Sequence, residues 1–223
     1  KNIDVIFHFA SLIGTPYSYL SPRSYVDTNV IGTLNILEAT KQNKISKLIH
    51  TSTSEVYGTA NYVPIDENHP LSAQSPYSAS KISADSLAFS YFSSFNLPVT
   101  ILRPFNTFGP RQSNRAIIPT IITQIANFRK KIKLGNLTTT RDYTYIDDTV
   151  MGFVNCISSK DINGKTINLG TGNEYSGEQV LKIISNLMKI NTSYKQDNKR
   201  FRPIKSEVHR LVSDNKLAKK LIK

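Results

Sequence analysis

The stretch KLIHTSTSEVYG, residues 47–58, is followed by SPYSASK, residues 75–81. Lys47 to Ser52 is the kind of short apolar run that a strand buried on both faces uses. It ends in a cluster of hydroxyl and carboxylate side chains, Thr51, Ser52, Thr53, Ser54 and Glu55. The carboxyl end of a parallel strand is where open α/β sheets hold their ligands. About 24 residues beyond Thr53, Tyr77 and Lys81 stand four apart in a helical pattern running from about Pro76 to Phe95. Four-residue spacing puts both side chains on one helix face, where they can meet at one substrate.

Outward from this core, the alternation of elements continues in both directions. Asp4 to Phe9 reads as a buried strand, followed by a long helical pattern from about Ser21 to Gln42 with Val26, Val30, Leu34, Leu37 and Ala39 in one apolar stripe. Pro98 marks the exit from the Tyr–Lys helix into a strand from Val99 to Arg103. Strands alternating with helices in this way predict a parallel sheet covered on both faces. Beyond Pro104 the pattern changes. A helical run near Pro119 ends around Lys130, and a short strand covers Ile132 to Leu134. Asp147 and Asp148 are expected to cap a helix reaching about Ser158. A strand from Lys165 to Leu169 and a helix within Ser176–Met188 follow. The expected division is residues 1–110 and a smaller α/β part, 111–223, some of whose segments pack back on the first sheet.

Composition narrows the function classes. A chain of 223 residues, 39% hydrophobic and 20% charged, is ordinary for a globular protein, which excludes fibres and disorder. No apolar run approaches the roughly 20 residues that cross a bilayer, so no membrane partner and a cytoplasmic setting are expected. Cys156 stands alone and is read as a packed thiol. The histidines, His8, His50, His69 and His209, lack metal-ligand spacing, so no metal is expected. A net charge of +12 favours an anionic partner, either nucleic acid or a diphosphate metabolite. The densest basic run, Arg129, Lys130, Lys131 and Lys133, has only Phe128 as an aromatic neighbour and no recognition motif around it. It is read as a solvated helix end, and no nucleic-acid partner is expected.

The Tyr77–Lys81 pair has an acid–base logic. A free tyrosine, with a pKa near 10, is a poor base at neutral pH, and a neighbouring ammonium favours its phenolate. A dinucleotide fold also announces itself by a glycine-rich turn after its first strand. Gly170-Thr171-Gly172 follows a late strand and lacks the third glycine, so it does not qualify. The chain opens on Lys1 and almost at once enters a strand, which is read as a fragment lacking its amino-terminal part.

The segments HFAS (8–11), TNVIGTLNILEA (28–39), TSTSEVYG (51–58), SPYSASK (75–81), LRPFNTFGPRQ (102–112) and RDYTYIDD (141–148) together resemble the extended short-chain dehydrogenases/reductases, specifically the nucleotide-sugar 4,6-dehydratases of the NAD-dependent epimerase/dehydratase family. The resemblance implies a Rossmann-type doubly wound parallel sheet whose first strands and glycine turn are missing here, with a smaller carboxyl-terminal substrate domain. It implies bound NAD, a nucleotide-diphosphate sugar as substrate, and pairing into a homodimer or larger homo-oligomer. Thr53 would bond the sugar O4, Tyr77 would take its proton, and Lys81 would hold Tyr77 and the nicotinamide ribose. Glu55 would remove the C5 hydrogen, with Ser54 orienting the C6 hydroxyl. Ser54 stands where the dTDP-glucose enzymes carry an acidic Asp, so the Thr-Ser-Glu order is closer to the GDP-mannose dehydratases. SEVYGTANYVPIDENHPL (54–71) is closer still to dehydratases of N-acetylated nucleotide sugars.

The same resemblance puts Ala10, Ser11, Thr51, Pro104 and Thr107 with Tyr77 and Lys81 at the cofactor, and Asn106, Arg141, Asn168 and Arg202 at the substrate. Arg111 and Arg115 are weaker candidates, and Asn29 is read as a structural amide. An epimerase or decarboxylase of the same family is the alternative enzyme. A non-catalytic nucleotide- or nucleic-acid-binding module is the alternative of another class, and it leaves Glu55, Tyr77 and Lys81 without a joint purpose.

Overall fold

The computed structural model describes residues 3–127 and 131–222. Strands β1 (Val5–His8), β2 (Lys47–Thr51) and β3 (Val99–Pro104) pair in parallel, each joined to the next by helix: α1 (Gly32–Gln42), then α2 (Pro76–Phe95). The parallel sheet expected from the alternation is therefore present. Its register places His8, His50 and Ile101 side by side, so the carboxyl ends of all three strands open on one edge.

The chain then forms β4 (Asn106–Phe108), α3 (Ile117–Ala126), β5 (Lys131–Leu134), β6 (Tyr143–Tyr145) and α4 (Ile146–Asn155). It returns to the first sheet as β7 (Thr166–Leu169), parallel to β3, continues through α5 (Gly177–Met188) and β8 (Ser193–Gln196), which pairs with β5, and reaches a last helix, α6 (Lys216–Leu221). Leu37, Leu48, Ala88, Tyr91 and Val99 pack between α1, α2 and one sheet face, while Ile49, Leu102, Phe153 and Ile167 pack on the other. A separate core of Ile121, Ile125, Ile132, Leu134, Leu181 and Ile184 joins α3, α5 and β5. No helix among the described residues is long and apolar enough to cross a membrane.

Three expectations change. The helix expected over 21–42 is interrupted by a π-turn at Val26–Ile31. Its Asn29 is buried and bonds the backbone of Leu12 through both amide atoms (2.8 and 3.0 Å) and Ser80 Oγ (2.9 Å), so the bulge turns a side chain inward to fasten the loop after β1 to α2. Asp147 and Asp148 do not cap α4: Tyr145 is its N-cap residue, and the two carboxylates occupy the first turn, where the helix dipole still favours them. The helix near Pro119 ends at Ala126, and Phe128, Arg129 and Lys130 of the basic run lie outside the described residues.

Candidate active site

β2 delivers the hydroxyl cluster to the sheet edge. The Ser52 amide still bonds Leu102 O across the sheet (2.7 Å), and Thr53 then goes extended. Thr53 Oγ1 accepts from the Glu55 amide (3.2 Å), turning the chain into one 3₁₀ turn, Ser54–Tyr57. This leaves Thr53 and Glu55 half-buried at the edge and sends Ser54 inward. Helix α2 starts beneath this turn. Ser75 and Ser78 form a reciprocal capping box with Pro76 in the first turn, which fixes where the helix begins and so where Tyr77 points.

The Tyr77 hydroxyl lies toward Thr53, whose side chain favours the phenolate. Burial raises the phenol well above its ordinary pKa and the Glu55 carboxylate adds to the rise, against the opposing effect of Thr53. Lys81 donates to Thr51 O (2.5 Å), and its burial lowers the ammonium to about 8 despite the opposing Asp85 charge. Residues 77, 81 and 85 follow one another at helical spacing along the inward face of α2. Asp85 is fully enclosed. It accepts from Ser52 Oγ (2.7 Å) and from Arg103 Nε and Nη2 (3.1 and 3.0 Å), and His50 Nε2 stands 3.3 Å away. Burial would raise its carboxyl, and the contacts with His50, Arg103 and Ser52 outweigh that and hold it below its ordinary value.

On the other side of Glu55 lies a cavity of about 290 Å³ lined by Asn106, Thr107, Arg115, Arg141, Arg200 and Arg202, among others. Four arginines around one concavity make an anion site, the more so because a guanidinium binds diphosphate oxygens in pairs. The Arg141 guanidinium is pinned by the carbonyls of Thr140 and Val208 (2.8 Å each). Arg202 is turned toward Glu55, with Nη1 to Oε2 at 2.9 Å and Nη2 to Oε1 at 3.4 Å. Arg115 thus joins the wall, while Arg111 is exposed and not among the lining residues. Arg200, Gln112 and Tyr143 also line the cavity without having been singled out in the sequence, although Gln112 and Tyr143 fall within the segments 102–112 and 141–148.

Asn168, expected at the substrate, is not at the cavity. It is fully buried on β7 and spends its side chain on Tyr57 Oη (2.8 Å) and Ile65 O (3.1 Å), and its amide on Glu67 (2.8 Å). Gly170-Thr171-Gly172 is likewise a structural turn, folded around buried Asp142, which accepts from Thr171 N and Gly172 N at 2.9 Å each. Cys156 is enclosed, and burial pushes its thiol up to about 11.

Ala10 and Ser11 follow β1, Thr51 ends β2 and Pro104 ends β3, so they share the sheet edge with Tyr77 and Lys81. Thr51 Oγ1 is buried there with no hydrogen-bond partner. An orphaned hydroxyl beside a buried ammonium, on an edge of small residues, fits a polar ligand lying across the strand ends. These residues suit the nicotinamide end of a dinucleotide.

The profile of a family described as GDP-mannose 4,6 dehydratase matches residues 1–223. The dTDP-D-glucose 4,6-dehydratase of Dictyostelium discoideum is 36% identical over 198 residues, 84% of this chain, and the chain spans 45% of that relative's length. Among solved structures, a UDP-glucuronic acid 4-epimerase from Bacillus cereus, in complex with UDP-glucuronic acid and NAD, superposes with a TM-score of 0.91 at 31% identity, covering 99% of this chain and 69% of that one. TunA, an NAD-dependent NDP-hexosamine 5,6-dehydratase of tunicamycin biosynthesis, gives 0.89 at 28% identity, covering 99% and 71%.

Proposed function

The chain belongs to the GDP-mannose 4,6-dehydratase family, among nucleotide-sugar dehydratases and epimerases, and on that premise we propose that it carries the catalytic side chains of an NAD-dependent nucleotide-sugar 4,6-dehydratase. The observation that carries the reading is the position of Glu55, in the 3₁₀ turn that follows Thr53, near enough to Tyr77 for its charge to act on the phenol, and paired with Arg202 of the arginine-lined cavity. A proton acceptor is needed there only if C5 loses its hydrogen.

Arg141, Arg202, Arg115 and Asn106 would hold the diphosphate and sugar of the substrate, drawing its hexose toward the sheet edge. Ala10, Ser11, Thr51, Pro104, Thr107 and Lys81 would hold NAD. When bound, that group supplies hydride acceptance at C4 and hydride return at C6. Thr53 and Tyr77 share the O4 hydroxyl, and Tyr77 takes its proton. Burial holds the free Tyr77 phenol protonated, so it becomes a base only when positive charge enters the site beside it. Oxidation at C4 acidifies the C5 hydrogen, Glu55 removes it, and the hydroxyl leaves C6 with Ser54 bearing on its orientation. The two protons taken, from O4 and C5, match two returned, one to the departing water and one to C5.

The substrate class is a nucleotide-diphosphate hexose, and the stretch 54–71 favours an N-acetylated sugar. A cytoplasmic setting and self-pairing belong to the same proposal, the latter because Val26, Ile31, Phe89 and Phe95 stay exposed along the α1–α2 side. A 4-epimerase is the second reading, favoured by the likeness to the B. cereus enzyme. Glu55→Gln decides between them in NAD-loaded protein: 4-keto-6-deoxy product should fall by about 10³-fold or more, as when a general base is lost. Undiminished dehydration by Glu55→Gln would rule out Glu55 as the base.

A further inference from the structure

We propose that Arg202 is a substrate-operated latch on Glu55: its guanidinium occupies the carboxylate in the free protein, and the diphosphate of an incoming nucleotide sugar draws it away and frees the base. The inference rests on the reading of Glu55 as the C5 base and adds how that base is kept idle.

Both Glu55 oxygens accept from Arg202, at 2.9 and 3.4 Å. A carboxylate so engaged must give up at least one charge-assisted hydrogen bond to take a proton from carbon, so the paired arrangement is not the working one. Among the described residues Glu55 is the only hydrogen-bond partner of the Arg202 side chain. The other cavity arginines differ in this respect. Arg141 is tied to two carbonyls, and Arg200 lies against Asp197 at 3.5 Å, neither of them a reacting group.

Charge sets the direction of the exchange. Glu55 offers one negative charge, whereas a diphosphate offers more and meets Arg115, Arg141 and Arg200 in the same cavity, where Glu207 is the one opposing carboxylate among the lining residues. The pair is also close enough to solvent to be broken, with Glu55 and Arg202 side chains 13% and 23% exposed. The movement is confined to a side chain. Ser206, just beyond, is hydrogen-bonded to Tyr19 Oη at 2.5 Å and donates to the Gln74 carbonyl, which ties this segment to the loop before α2. Binding at the remote diphosphate is thereby spent on the reacting end, so a hexose without a diphosphate could enter and leave Glu55 latched.

Isothermal titration of inorganic pyrophosphate, at fixed ionic strength and without substrate turnover, reads the competition directly. Four proteins are compared: the parent chain, Glu55→Gln, Arg202→Gln and the double variant, each checked for folding by its melting curve. With the latch, Glu55→Gln should bind pyrophosphate about tenfold more tightly than the parent, Arg202→Gln should bind more weakly, and the gain from Glu55→Gln should vanish once Arg202 is gone. A gain that persists in the Arg202→Gln background reflects general repulsion by Glu55 and overturns the latch. So does the absence of any gain, or of any pyrophosphate binding. If Arg202→Gln does not fold, Arg202→Lys enters the same cycle, keeping the charge and losing the paired geometry. Product formation by Glu55→Gln tests the base separately, so either idea can fail alone.

Discussion

The two halves of the site are built in opposite ways. The inner half, Tyr77, Lys81 and Asp85, is a single helix face whose partners are nearly all buried and come from the two strands beside it. The outer half draws Asn106, Arg115, Arg141, Arg200 and Arg202 from separate segments around an open cavity. A change in the inner half is therefore expected to show as lost folding, whereas a change in the outer half should show as lost binding with the fold intact.

Asp85→Asn tests the inner half most severely. The carboxylate is the shared acceptor of Ser52 and both Arg103 bonds, and the Arg103 guanidinium is itself buried. Removing its charge leaves a cation enclosed without a counter-ion, at a cost of about 3–5 kcal/mol. Thermal melting should fall by roughly 10 °C for a chain of this size. A melting point within a degree or two of the parent would break the contrast, because the inner half would then tolerate change as a surface does.

Tyr77 and Lys81 of that inner half were legible in the sequence, and in the outer half the family resemblance named Asn106, Arg115, Arg141 and Arg202 and missed Arg200. Tyr77, Lys81 and Glu55 lie on a strand end and a helix whose periodicity can be read, and the α2 boundaries, Pro76 to Phe95, agree with a reading from a proline start and the Pro98 exit. The Asp85 network has no such signal. An Asp mid-helix reads as solvent-facing until the neighbouring strands bring His50 and Arg103 to it. The π-turn at Asn29 was missed because an apolar stripe fits a regular helix equally well, and only the bond to Leu12 from another segment selects the bulge. Asn168 was assigned to the substrate by position in a family pattern, yet its burial comes from Tyr57 and Ile65, far off in the chain. The cavity arginines carry no periodicity at all, since their meeting depends on how the later segments fold back.

The second test of the contrast uses pH. His8, at the end of β1, bonds Thr33 Oγ1 (3.1 Å) and lies beside His50 and the Lys81 charge. Burial, with help from these two, lowers it from 6.5 to about 4. Between those values the unfolded chain holds a proton on His8 and the folded chain does not. Stability from this residue is thus full above 6.5 and drains as pH falls toward 4, by about 2–3 kcal/mol in all. His8→Gln, which can keep a bond to Thr33, should melt with a shallower acid decline than the parent. The parent's extra loss between pH 6.5 and 4 should be roughly 5–10 °C. Parallel declines would mean that His8 titrates as it would in water, and that the interior under the strand ends is wetter than the packing implies.

The smallest effect separates the two halves most cleanly, because it acts on the outer one through the backbone alone. Gly135 closes the cavity floor after β5, and a Cβ there would sit 3.0 Å from Arg200 O and 3.1 Å from Arg200 Cβ. Its backbone needs no left-handed turn, so alanine gains a little from a less flexible unfolded chain, offsetting part of the crowding. The neighbour must shift by a few tenths of an ångström. It is held at Asp197 N to Leu134 O (2.8 Å) and Arg200 N to Asp197 O (2.9 Å), so the strain passes along the segment toward Arg202 instead of into the core. Gly135→Ala should melt within about 1 kcal/mol of the parent and bind pyrophosphate about threefold more weakly in the titration used for Arg202. If melting falls and affinity stays, the arginine wall is rigid scaffold, and the division between a folding half and a binding half does not hold at the cavity floor.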